Sequence, residues 1–207
     1  MKLLDVEAEL GVTYSSEYLQ LAADGMLDPE GEPRLLMHAS HFELIRVEAI
    51  AAKTRDLWNI REGRAFSDLI LVPFAINEDG LAYVFLGHSG KALAHVGFLQ
   101  EDMDVLMMLA PSLGDFVFRK LLEDAAQLED RGCEGDSVDR KKLFTTLRAH
   151  AGCLTKRQRE IVGRVYSCPV SEYTQSGISY RGHVTMATLA RLIQEELGAQ
   201  WLANWIM

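Results

Sequence analysis

Apolar residues recur along this chain first at helical spacing, then in the alternation of strands, then at helical spacing again. From Thr13 to Ala23 hydroxyl residues open a segment with Glu17 in its first turn and with Tyr14, Tyr18 and Leu21 on one face, which predicts a helix leaving at Asp24-Gly25. Residues 24–33, DGMLDPEGEP, are dense in glycine, proline and acids and read as a loop. Residues 40–59 predict a second helix, with Ser40 as N-cap and Glu43 at the capping-box spacing.

Strand chemistry takes over from Asp68 to Ile76, which ends at the turn Asn77-Glu-Asp-Gly80. Leu81 to Leu86 alternates again, Gly87-His-Ser-Gly90 interrupts it, and Lys91 to Phe98 resumes it. Three short strands with glycine-containing connections predict an antiparallel meander. Pro73 removes a ladder donor, so the first strand is expected at an edge or at a bulge.

After residues 101–104 the period is helical once more. Val117, Leu121, Ala125 and Leu128 form one stripe in a predicted helix from Leu113 to Leu128. Residues 129–137 are polar and glycine-rich, and they set an expected boundary between a domain of residues 1–130, a linker of 131–137 and a mainly helical extension of 138–207. Within the extension, helices are predicted from Thr155 to Tyr166 and from Thr185 to Leu197, with a polar stretch around Ser176-Gly177 between them. Trp201 and Trp205 stand four apart after Leu197, the spacing of a helical stripe packed on the main domain.

Charge sharpens that division. Residues 1–139 carry 11 Lys and Arg against 26 Asp and Glu, a net of −15, whereas residues 140–207 carry 10 against 4, a net of +6. An acidic body with a basic tail selects partners by field: a basic partner for the body, or an acidic one for the tail. Within 207 residues, 48% hydrophobic and 25% charged, a packed core is expected. The acidic N-terminus lacks the apolar core of a secretory signal, and no apolar run reaches the roughly 20 residues that span a bilayer, so a soluble cytoplasmic protein without a membrane partner is expected. Cys133, Cys153 and Cys168 are odd in number and match no zinc spacing, so free thiols are expected.

Few constellations point to chemistry. Gly87-His-Ser-Gly90 differs from a nucleophile elbow by having Lys91 at the final glycine position, and a strand rather than a helix follows it. His38 and His41 could share a helical face, yet no ligand set completes them. Glu101, Asp102 and Asp104 lack the glycine and glutamate positions of an EF-hand. Neither a P-loop nor a dinucleotide fingerprint occurs, and no cofactor is expected. Leu154 to Val162 resembles the opening helix of helix-turn-helix regulators, and Lys156, Arg157, Arg159 and Arg164 are its candidate nucleic-acid residues. No second helix is predicted within a short turn after it, which places nucleic-acid binding as the alternative reading.

Residues 10–130 resemble the SUKH superfamily, which contains bacterial toxin-immunity proteins and fungal regulators of cell-wall glucan synthesis. The resemblance lies in the helix Tyr14 to Ala23 with its Asp24-Gly25 exit, in Leu71-Val-Pro-Phe-Ala-Ile76 with the turn Asn77-Glu-Asp-Gly80 and the strand Tyr83 to Leu86, and in the helix from Leu113 introduced by Ser112. It implies an α+β fold, a central antiparallel sheet flanked by helices, with the basic, mainly helical C-terminal region as an addition. It also implies no enzyme activity and a cognate protein toxin, such as a basic nuclease, as partner. Asp28, Glu30, Glu78, Asp79, Glu101 and Asp102 are the acids expected to touch that partner.

Overall fold

The computed structural model describes residues 2–37, 39, 41–61, 68–88, 90–100, 105–128, 135–201 and 204–206. The fold is α+β, and the chain divides into two units: residues 1–35, 41–113 and 203–207 form the first, and residues 36–40 and 114–202 the second.

The first unit is built on an antiparallel sheet of six strands: β2 (Glu43–Leu44), β3 (Ile70–Ile76), β4 (Ala82–Gly87), β6 (His95–Gln100), β7 (Val105–Ala110) and β10 (Asn204–Ile206). Their spatial order is β10-β7-β6-β4-β3-β2. A separate parallel pair joins β1 (Thr13–Tyr14) to β5 (Ala92–Leu93). Helices α1 (Leu3–Leu10), α2 (Ser16–Ala23) and α3 (Val47–Arg61) belong to the same unit.

Alternation along β4 assigns the two faces of the sheet. Ala82, Val84 and Leu86 join Leu71, Leu99, Leu106 and Leu57 of α3 in one buried cluster. Trp58 of the same helix donates its indole N–H to the Leu71 carbonyl at 2.9 Å. Phe85 is buried on the other face, stacked on Phe74 at 4.3 Å between centroids and met edge-on by Tyr18 of α2 at 4.6 Å. Both faces of the central strands are therefore covered, which is why β3 reads ILVPFAI with hardly a polar residue. The proline takes the bulge rather than an edge: β3 lies inside the sheet, and its register with β4 shifts between Pro73 and Ala75.

The second unit holds α4 (Leu113–Ala126, from Gly114 onward), α5 (Gly135–Ala149), α6 (Lys156–Ser167), the hairpin β8–β9 (Ser171–Gln175 and Ile178–Gly182), α7 (Met186–Leu197) and a 3-10 turn at Ala199–Trp201. The hairpin closes the C-terminus of α4, where helix carbonyls lack intrahelical donors. His183 N–H donates to the Ala125 carbonyl at 2.7 Å, the Tyr173 hydroxyl to Ala126 at 2.7 Å, and Leu128 N–H to the Arg181 carbonyl at 2.8 Å. Gly182 stands where a Cβ would come within 2.3 Å of the Ala126 oxygen, so close approach of the two backbones requires glycine there. On α4 burial alone would raise the Glu123 carboxyl, but Lys120 and Arg119, at 3.1 and 2.7 Å, outweigh it and hold the group below its ordinary value.

Several elements differ from the sequence expectations. The helix expected from Ser40 begins at Val47, and Glu43 lies on β2, paired with Ile76; Ser40 itself lies outside the described residues. The apolar run VLMMLA is strand β7 rather than a prelude to helix, because it pairs with β6 on one side and β10 on the other. The polar stretch around Ser176-Gly177 is a hairpin, with both turn residues at positive φ (52° and 79°) as a two-residue connection needs. Trp201 lies in the 3-10 turn and Trp205 on β10, so they form no common helical stripe. No described helix is long and apolar enough to cross a membrane.

Candidate functional site

Four of the acids singled out by sequence lie in the first unit, on two loops that meet the edge strand β2. Asp28 and Glu30 stand on the loop after α2, where the Asp28 carboxylate accepts the Glu30 N–H at 3.0 Å. Glu30 pairs with Arg46, just past β2, and shares a small cleft with Phe42 and Glu43. Glu78 and Asp79 stand on the β3–β4 turn, made rigid by Asn77, whose side-chain oxygen accepts from Asp79 N–H at 3.1 Å and Leu81 N–H at 2.8 Å. Gly80 at φ 81° closes that turn. His41, just before β2, bridges to Glu78 at 2.8 Å. Acids roughly 50 residues apart in sequence thereby line one sheet edge.

A cleft of about 800 Å³ adjoins this edge. Leu3, Leu4, Leu19 and Leu27 line its apolar floor, and Lys2, Asp28, Arg46 and Glu48 its charged rim. Leu4 is 62% exposed there, a large apolar side chain in water. The Glu48 carboxyl is held below its ordinary value, chiefly by its own backbone N–H. Arg46 and Glu43 were not legible as site residues, because Glu43 matched a capping-box position and the pairing that creates β2 is non-local. Glu101 and Asp102 lie outside the described residues.

The basic candidates lie in the second unit, on α6. Thr155 caps the helix by accepting from Gln158 N–H at 3.1 Å, and Ile161, Val162, Val165 and Tyr166 are buried. Arg157 is engaged by Glu196 at 2.7 Å. Arg159 donates to the carbonyls of Ala151 and Leu154 at 2.7 and 3.0 Å, so it braces the turn before the helix. Lys156 and Arg164 are exposed, the former 4.0 Å from Glu160.

Among the described residues no group of three or more His, Cys, Asp or Glu side chains could hold a metal, and Cys168 is a free thiol. Gly87 ends β4 and Lys91 N–H donates to the His88 carbonyl before β5, while Ser89 and His38 lie outside the described residues. Comparison with known proteins finds no matching family model, no matching curated protein and no matching solved structure.

Proposed function

We propose that this chain is a non-catalytic binding protein that acts as SUKH-type immunity proteins do, neutralising a cognate basic protein toxin at the acidic edge of its sheet. The observation that carries this reading is the convergence of Asp28, Glu30, Glu78 and Asp79 on the β2 edge, beside a cleft with an apolar floor. Cations of the toxin would meet the acids, and an apolar side chain would enter the cleft at Leu4 and Leu19. Oppositely charged rims raise the association rate, and the same acids select against acidic partners. The first unit supplies the long-range field, with 8 Lys and Arg against 18 Asp and Glu, a net of −10.

Binding of the full chain to the candidate toxins encoded beside its gene tests the reading by calorimetry. Glu30→Lys with Asp79→Lys is expected to weaken the complex at least about tenfold and to flatten its salt dependence. Absence of binding to every such toxin removes the proposal.

A further inference from the structure

In the second unit the helix adjacent to α6 in sequence lies before it: six residues separate α5 (Gly135–Ala149) from Lys156. α5 leads through residues 150–155 into α6, and the connection is fixed at several points. Cys153 N–H donates to the His150 carbonyl at 3.0 Å, Arg159 clamps Ala151 and Leu154, and His150 donates from Nδ1 to Thr146 at 2.7 Å while accepting Leu36 N–H at 2.9 Å. α6 is thus the second of two helices joined by a braced connection, the order in which a recognition helix follows its partner.

The hairpin β8–β9 springs from the far end of the same helix. The Cys168 carbonyl at the end of α6 receives Arg140 Nη2 of α5 at 3.1 Å and His183 Nδ1 at the hairpin base at 2.6 Å, so three elements meet at one atom. Thr174, Gln175, Ser176 and Ser179 near the hairpin tip are exposed and hydrogen-bonding, and Ile178 is 57% exposed. The outward face of α6 is open: Glu160, Gly163, Arg164 and Ser167 line a shallow cleft of about 770 Å³, and a Cβ at Gly163 would meet nothing within 4 Å.

We propose that the outward face of α6 and the tip of the β8–β9 hairpin together bind duplex DNA, the helix lying in the major groove and the hairpin against the adjoining backbone. Charge favours this occupant. The second unit as a whole carries 13 Lys and Arg against 12 Asp and Glu, but the basic residues concentrate in 140–202, with 10 against 4, where Lys141, Arg148, Lys156 and Arg164 face solvent; Glu160 is the one acid on α6. Arg157 and Arg159 are exposed too, and they also tie the helix to Glu196 and to the turn before it. B-form DNA has a major groove about 12 Å wide that admits a helix, whereas the A-form groove of duplex RNA is too narrow.

Fluorescence anisotropy of the full chain with a labelled random-sequence DNA duplex, from 25 to 200 mM salt, tests the proposal. Affinity is expected to fall steeply with salt. The Lys156→Glu, Arg164→Glu pair is expected to lose roughly tenfold or more at low salt, with a shallower salt slope. Gly163→Glu guards against misfolding of that pair, because its side chain enters open space on a helix and is expected to fold normally while losing binding. Lys91→Glu, an exposed change in the other unit, is the control expected to bind as the parent does. No binding at 25 mM salt, undiminished binding by Gly163→Glu, an equal loss in Lys91→Glu, or equal affinity for duplex RNA overturns the proposal.

Discussion

The central sheet and the β8–β9 hairpin are both antiparallel β-structure, and they are held by different physics. Strands β3, β4 and β6 bury both faces, and the aromatic group of Tyr14, Tyr18, Phe74 and Phe85 fills one of them with ring centroids 4.3 to 6.1 Å apart. The hairpin has one partly buried pair, Tyr173 stacked on Tyr180 at 5.4 Å, and almost everything else on it is exposed. Isolated two-stranded hairpins are marginal in water. This one persists because His183 N–H and the Tyr173 hydroxyl at its base donate to the carbonyls that end α4, and its Arg181 carbonyl accepts Leu128 N–H in return. The sheet is thus a hydrophobic object that keeps its polar residues on an edge, and the hairpin is a polar object anchored by hydrogen bonds at its root.

That contrast predicts different sensitivities. Phe85→Ala removes a fully buried ring from the middle of the aromatic group and is expected to cost about 3–5 kcal/mol, read as a lower denaturant midpoint. A cost near zero would mean that the aromatic face does not hold the sheet. Gly182→Ala puts a methyl group against the Ala126 oxygen and is expected to cost about 1–3 kcal/mol through backbone displacement. Hydrogen exchange at Leu128 and His183 should accelerate with it, because both amides bond across that junction. Unchanged exchange would separate the hairpin from the end of α4.

The third and smallest effect is pH dependence in the second unit. His150 is fully buried, and burial pulls its imidazole below the ordinary 6.5, against a smaller upward effect of its bond to Thr146. The unfolded chain therefore takes up the proton first as pH falls. The stability due to neutral His150 is complete above about pH 6.5 and is lost as pH drops from there through the lowered folded value. The loss is at most about 1.4 kcal/mol per pH unit in that window. Glu123, held below 4.5, loses its own contribution only at lower pH, so the two windows separate. His150→Gln, which keeps an acceptor for Leu36 N–H, should show a shallower fall in stability between pH 7.5 and 5.5. An identical slope in parent and variant would remove His150 as the cause.

Elements whose stabilisation is local or periodic were readable from the residues. Helices α2, α4, α6 and α7 carry an apolar stripe of their own, and three of them an N-cap hydroxyl at Ser15, Thr155 or Thr185. Strands β3, β4 and β6 carry β-branched and aromatic alternation with turn residues between them. What escaped was set by distant partners. β2 is two residues long and exists because it pairs with Ala75 and Ile76; β10 exists because it pairs with Leu106 to Met108. α5 opens with Gly-Asp-Ser, poor helix formers, and the hairpin is nearly all polar, so neither shows an apolar period.

The candidate surfaces divide in the same way. Composition alone made the body acidic and the tail basic, since charge is fixed by residue identity. Sequence also marked Asp28, Glu30, Glu78 and Asp79, and on the basic side Lys156 and Arg164. Only tertiary structure decided that the two acidic loops share the β2 edge through Arg46 and His41, and that Arg157 and Arg159 are engaged by the fold while Lys156 and Arg164 face solvent. Only tertiary structure made α6 the second helix of its pair. The reason is physical: turn chemistry, caps and periodicity act over a few residues and are written locally, whereas pairing and ion pairing across the chain depend on which surfaces the packed core leaves adjacent.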